Sequence, residues 1–128
     1  MPELQCQLRR IPSLPEAAVI TLRGALDPKN VTLLVGALKK IGDKGFRTLI
    51  LDLAEIRYIN SMGLGSLINL ADGLAAKGGG LVLANPNPKV KVVFDLMGIT
   101  QFFRIHKSVD AAIAAIARPK SPRLRKQA

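Results

Sequence analysis

The chain has 128 residues, 48% hydrophobic and 22% charged, which fits one ordinary globular domain with a core of its own. A single cysteine excludes an intrachain disulfide, and a single histidine with no ligand-like spacing around it argues against a metal site. The net charge of +10 points to acidic surroundings or partners, while the lack of 18 uninterrupted apolar residues or of a signal-peptide pattern makes a cytoplasmic location the expectation.

Leu4, Cys6 and Leu8 alternate with Gln5, Gln7 and Arg9, a period of two that predicts a strand with Cys6 half buried. Pro12 and Pro15 mark a turn, and Ala18, Ile20 and Leu22 alternate in a second strand, so the two form a hairpin. Asp27 then suits a helix cap and Pro28 the first helical position. Val31, Leu34, Val35, Leu38 and Ile41 follow at spacings of three and four, an amphipathic helix closed by Gly42 and Gly45.

Residues 48–53 (TLILDL) form a nearly continuous apolar run, the mark of a central strand covered on both faces. Residues 54–60 read as a loop leading to Ser61. Leu64, Leu67, Ile68, Ala71, Leu74 and Ala75 trace a second helix, stopped at Gly78-Gly79-Gly80, and residues 81–84 are a short strand. Asn87 caps a third helix carrying Val90, Val93, Phe94 and Met97 and closed by Gly98. Residues 102–106 read as a last strand, with His106 a surface residue at its end. Ser108 caps a fourth helix with Val109, Ala112, Ile113 and Ile116.

The order ββαβαβαβα implies an α/β fold: a mixed, mostly parallel sheet with an N-terminal antiparallel hairpin and about four helices. Residues 1–116 make one domain. Residues 117–128 hold Arg118, Lys120, Arg123, Arg125 and Lys126 with no acid, and read as a basic, disordered tail able to touch acidic surfaces.

In such sheets function gathers at the carboxyl ends of the parallel strands. Three loops fall there: one with Asp27, one with Asn60-Ser61-Met62-Gly63, and one with Asn85-Pro86-Asn87. Ser61 at the start of a helix reads as its cap, and the same place is a good seat for a phosphate. Gly63 and Gly65 imitate a dinucleotide fingerprint, but its third glycine would fall on Ile68. There is no phosphate-binding loop of the Walker type, no nucleophile elbow and no zinc-protease motif. Asp52 and Glu55 read as a strand end and a solvated loop residue. No catalytic residues, metal or cofactor are expected.

The stretch LILDLAEIRYINSMGLGSLINL resembles the signature of STAS domains, in particular bacterial anti-sigma factor antagonists, where a strand ending in D-L leads through a loop to D-S-S/T-G-L-G at a helix start. Gly24-Ala25-Leu26-Asp27 is similar to the family's G-x-L-D element, and residues 93–99 to its third helix and following turn. The likeness covers nearly all of residues 4–116. It implies a partner switch in signal transduction and transcription regulation. The unphosphorylated protein binds an anti-sigma factor that is also a GHKL-type serine kinase, phosphorylation at Ser61 releases it, and a PP2C-type phosphatase resets the switch. Asp27 matches the acidic residue that contributes to kinase recognition. Asn60, Met62, Gly63, Leu64 and Gly65 make up the rest of the partner-binding loop, the glycines shaping the start of the helix and Leu64 packing inward. Asn60 replaces the usual Asp and loses its charge. Met62 replaces the second hydroxyl residue, and either covers the sheet edge or offers a partner an apolar contact. Other readings are a non-phosphorylated STAS subunit of a stressosome or of a lipid-transport ABC complex. A nucleic-acid role is not expected, since no aromatic residues interleave with the basic ones.

Overall fold

The structure is a computed structural model and describes residues 4–117. Five strands, β1 (Gln5–Arg10), β2 (Ala17–Leu26), β3 (Thr48–Ile59), β4 (Gly80–Ala84) and β5 (Arg104–His106), form one sheet among these residues. Four α-helices join them: α1 (Pro28–Asp43), α2 (Ser61–Ala76), α3 (Pro88–Met97) and α4 (Val109–Ala117). The basic tail expected over 117–128 lies, from residue 118 on, outside the described residues.

The spatial order of the strands is the chain order, β1 to β5. β1 and β2 form the expected antiparallel hairpin, and every later pair is parallel. This order has a direct consequence. Each parallel crossover steps in the same direction, so right-handed connections must place α1, α2 and α3 on one face. The packing agrees. Val31, Leu34 and Leu38 of α1, Leu64, Leu67, Leu70 and Leu74 of α2, and Val90 and Phe94 of α3 share one core with Ala18, Ile20, Leu22, Leu49, Leu51, Leu81 and Leu83. The alternate residues Ala17, Val19, Ile50, Val82 and Ala84 point to the other face, where α4 brings Ala112 and, at the rim, Val109, Ile113 and Ile116. Among the described residues the strand order does not reverse, as it does at the switch point of doubly wound folds.

Local chemistry sets the helix ends as the sequence predicts. Asp27 accepts a hydrogen bond from the Asn30 amide at 2.8 Å with Pro28 at the start of α1, and Asn87 does the same for the Val90 amide at 3.1 Å with Pro88 following. Ser108 accepts from the Ala111 amide at 3.0 Å. Gly98, in the left-handed region at φ 65°, closes α3. The helix over Val31–Ile41 runs past Gly42 to Asp43 before Gly45, at φ 105°, turns the chain.

Four expectations need correction. Residues 54–59 are not a loop: β3 continues to Ile59, because β2 runs on beside it and pairs with it as far as Leu26↔Ile59. Register shifts between Thr21 and Arg23 and between Gly24 and Ala25 accommodate an uneven spacing, so that Leu53, Ile56 and Ile59 all face the core. Glu55 is therefore a strand residue. Cys6 is exposed, since β1 is an edge strand beyond the reach of the helices, though partial shielding still pushes its thiol above the ordinary pKa. Residues 102 and 103 belong to a turn: a short 3-10 segment (Ile99–Gln101) buries Ile99 and Phe103, and β5 begins only at Arg104. His106 does end β5, but it is half buried, and its Nε2 is shielded without a hydrogen-bond partner among the described residues.

Candidate functional site

β2 and β3 run on beyond β4, which stops where Ala84 pairs with Asp52. From Leu53 to Ile59, β3 has β2 on one side and no strand on the other. The free side is held by Asn87, whose side-chain amide donates to the carbonyls of Ala54 and Ile56. One residue thus caps α3 and replaces a strand. Asp52 sits at the branch, its Oδ1 accepting from the Ala54 amide at 3.2 Å and the Asn85 side chain at 3.4 Å.

This projecting ribbon carries two helix starts at its tip. β2 ends at Leu26 and α1 begins after Asp27; β3 ends at Ile59 and α2 begins after Asn60. The Asn60 amide donates to the Leu26 carbonyl at 3.1 Å, the last rung between the strands. The Asn60 carbonyl accepts from the Leu64 amide at 3.2 Å and so opens α2. Asn60, not Ser61, therefore occupies the cap position, and Ser61 is the first residue inside the helix. Its side chain is exposed. The start of the helix is closed by the Asn60 carbonyl and not by the Ser61 hydroxyl.

The two helix starts are in close contact. A Cβ on Gly63 would lie 2.6 Å from Val31 Cγ2 of α1 and 3.4 Å from the Leu26 carbonyl oxygen, so only glycine lets the first turns approach this closely. Leu64 is buried in the core and anchors the turn from below. Gly65 differs: nothing lies within 4 Å of the Cβ it lacks, and it leaves a bare stretch of backbone on the outside of α2. Met62 is the second residue of α2.

The structure thus brings together Asp27, Asn60, Ser61, Gly63 and Leu64, while Asn85 and Asn87 end up farther back along the ribbon. Two N-terminal helix dipoles point their partial positive ends at the tip, and Asp27 supplies the negative side chain between the helix starts. Sequence reasoning missed Tyr58 and Leu33, which are 53% and 66% exposed. Tyr58 pairs with Ala25 one rung before the tip, and Leu33 lies on the second turn of α1. Large exposed apolar groups beside a polar tip suit a protein partner. Tyr58 would have been visible had residues 54–59 been read as strand.

Behind the tip lies an open cleft of about 930 Å³ lined by Arg23, Glu55, Arg57, Asn87 and Lys89 among others. Arg23 and Glu55, register partners on β2 and β3, form an ion pair at 2.7 Å in its lining. Among the described residues there is no group of three or more His, Cys, Asp and Glu side chains that could hold a metal, and no helix is long and apolar enough to cross a membrane.

The family model for the STAS domain matches residues 7–112. The chain is 35% identical over 97 residues to a Bordetella bronchiseptica protein named as an anti-sigma factor antagonist, BtrV, a match covering 76% of this chain and 84% of that one. The fold is similar to that of the anti-sigma factor antagonist SpoIIAA in its unphosphorylated form, with a TM-score of 0.73 and 24% identity over 91% of this chain and all of that one. It is also similar to the Bacillus protein SpoIIAA in its phosphorylated form, with a TM-score of 0.64 and 25% identity over 88% of this chain and 99% of the other.

Proposed function

The chain belongs to the STAS domain family, and from that premise we propose that it is a cytoplasmic partner-switching regulator of the anti-sigma factor antagonist type, controlled by phosphorylation of Ser61. Such antagonists are regulatory binding proteins, not catalysts. The observation that carries the reading is the position of Ser61: exposed, inside the first turn of α2, with the cap role taken by Asn60.

In its unmodified state the tip, with Tyr58, Leu33 and the bare backbone at Gly65, docks on an anti-sigma factor that is itself a GHKL-type serine kinase. Asp27 orients that partner. Phosphorylation adds about −1.5 to −2 charges at Ser61. The helix N-termini stabilise the phosphate where it stands, so the domain need not refold. The docking surface becomes strongly negative beside Asp27, and a partner matched to the neutral tip is repelled. A PP2C-type phosphatase then restores the binding form.

The test is phosphopeptide mass spectrometry of the chain incubated with its cognate kinase and ATP, together with binding of three forms to that kinase. Phosphate on Ser61 is expected, with Ser61→Ala binding like the native chain and Ser61→Asp at least about tenfold more weakly. Equal binding of all three, with Ser61 unmodified, would overturn the switch and leave a constitutive STAS subunit.

A further inference from the structure

α3 carries a ridge of apolar side chains that its own fold does not use. Val90 and Phe94 point into the core, while Val92 and Leu96, one turn apart on the opposite side of the helix, are 56% and 82% exposed. The ridge is followed by Phe102, 58% exposed, just after the 3-10 turn that packs on α3. Asn87 anchors the first turn of α3 at Ala54 and Ile56, and the helix then runs back against the strand direction. The end of the ridge at Leu96 therefore lies away from the tip that carries Ser61.

The charges beside the ridge identify what fits it. Lys91 and Asp95 are exposed and lie one turn apart along the same flank, the cation nearer the start of the helix and the acid nearer its end. A uniformly acidic partner would face Asp95, and a uniformly basic one would face Lys91. A second copy of the same helix, laid antiparallel across a two-fold axis near Val93, satisfies both. A two-fold axis lying in the contact plane sets each flank against its own counterpart, reversed in direction. Lys91 of each copy then meets Asp95 of the other, twice. The same operation interleaves Leu96, Val92, Val92 and Leu96 along the ridge, sets Phe102 against the first turn of the other α3, and opposes the two helix dipoles.

We propose that α3 and the turn after it form an isologous dimer interface with a second copy of this chain, leaving the Ser61 tip of each copy free. One helix and one turn per copy is a contact at the small end of specific interfaces, so the dimer dissociates in the micromolar range. The inference does not depend on phosphorylation of Ser61.

Sedimentation equilibrium of the full chain from about 5 µM to about 0.5 mM at near-physiological salt tests it. The native chain is expected to show a monomer–dimer equilibrium. Leu96→Glu, at a position too exposed to disturb the core, is expected to raise the dissociation constant at least about tenfold. Asp95→Lys should weaken the dimer, and the charge swap Lys91→Asp with Asp95→Lys should restore it to within about threefold of native. A native chain that stays monomeric across the range overturns the proposal, as does a dimer that Leu96→Glu leaves intact. A swap no tighter than Asp95→Lys alone overturns the Lys91–Asp95 pairing and with it the antiparallel arrangement.

Discussion

The two halves of β3 solve the problem of a central strand in different ways. From Thr48 to Asp52 it has β2 on one side and β4 on the other, with core on both faces through Leu49 and Leu51 on one and Ile50 on the other. From Leu53 to Ile59 it keeps β2 alone, changes register twice, and finds its second neighbour in a single asparagine. The first half is determined by burial. The second is determined by a few specific contacts, and it is the half that leads to Ser61. A sheet's stable part can thus act as a base from which a less redundant ribbon projects the turn that carries Ser61, and changes in the two halves should have different consequences.

The largest effect is expected at the base. A Cβ on Gly79 would lie 1.8 Å from the Arg47 carbonyl oxygen, a backbone atom at the start of β3 that also accepts the Gly80 amide. Neither side can yield without moving a strand. Gly79→Ala should cost about 3 kcal/mol or more, seen as a fall of roughly 10 °C in Tm. At the tip, Gly63→Ala meets a side chain instead, the Val31 methyl group, and should cost about 2 kcal/mol. Because the obstacle is one methyl group, Val31→Ala in the same chain should recover much of that loss, with a coupling above about 0.5 kcal/mol in urea denaturation. Additive losses would mean that the two helix starts do not press on each other.

Between these lies Asn87→Ala. It removes the cap of α3 and both amide contacts to the free edge of β3, for an expected loss of about 1–2 kcal/mol. Its pattern matters more than its size. Hydrogen exchange should speed up over residues 53–59 and stay native over 48–52. A uniform change along β3 would show that the two halves open as one unit.

What the sequence disclosed follows the same division. The strand at residues 48–53 was legible because burial on both faces leaves an unbroken apolar run. The caps at Asp27 and Asn87 were legible because each precedes a proline at the first helical position. The strand at residues 54–59 was not, because pairing with one neighbour and two register shifts destroy the alternation that marks a strand. The cap of α2 fell to Asn60 and not Ser61 for a related reason: serine and asparagine are equally good caps, and only knowing that β3 reaches Ile59 assigns the cap to Asn60. The second use of Asn87 left no trace, since its targets are backbone carbonyls more than thirty residues earlier. The exposure of Leu96 and Phe102 was hidden too, because each stands within two residues of a core phenylalanine, Phe94 and Phe103.

The smallest effect is expected where the contact looks strongest. Arg23 and Glu55 face each other across β2 and β3 at 2.7 Å, the tighter of the ion pairs found among the described residues. Both side chains are more than half exposed, so water already solvates each charge, and ordering two long side chains offsets most of the Coulomb gain. Glu55→Ala should therefore change stability by no more than about 0.5 kcal/mol, and the difference should shrink further in high salt. Asn87, uncharged and contacting the same segment from the other side, should matter several times more, because its loss strips carbonyls on a strand edge that has no other neighbour. Should Glu55→Ala prove the more damaging of the two in urea denaturation, the ribbon would be held by charge across its surface and not by hydrogen bonds along its edge.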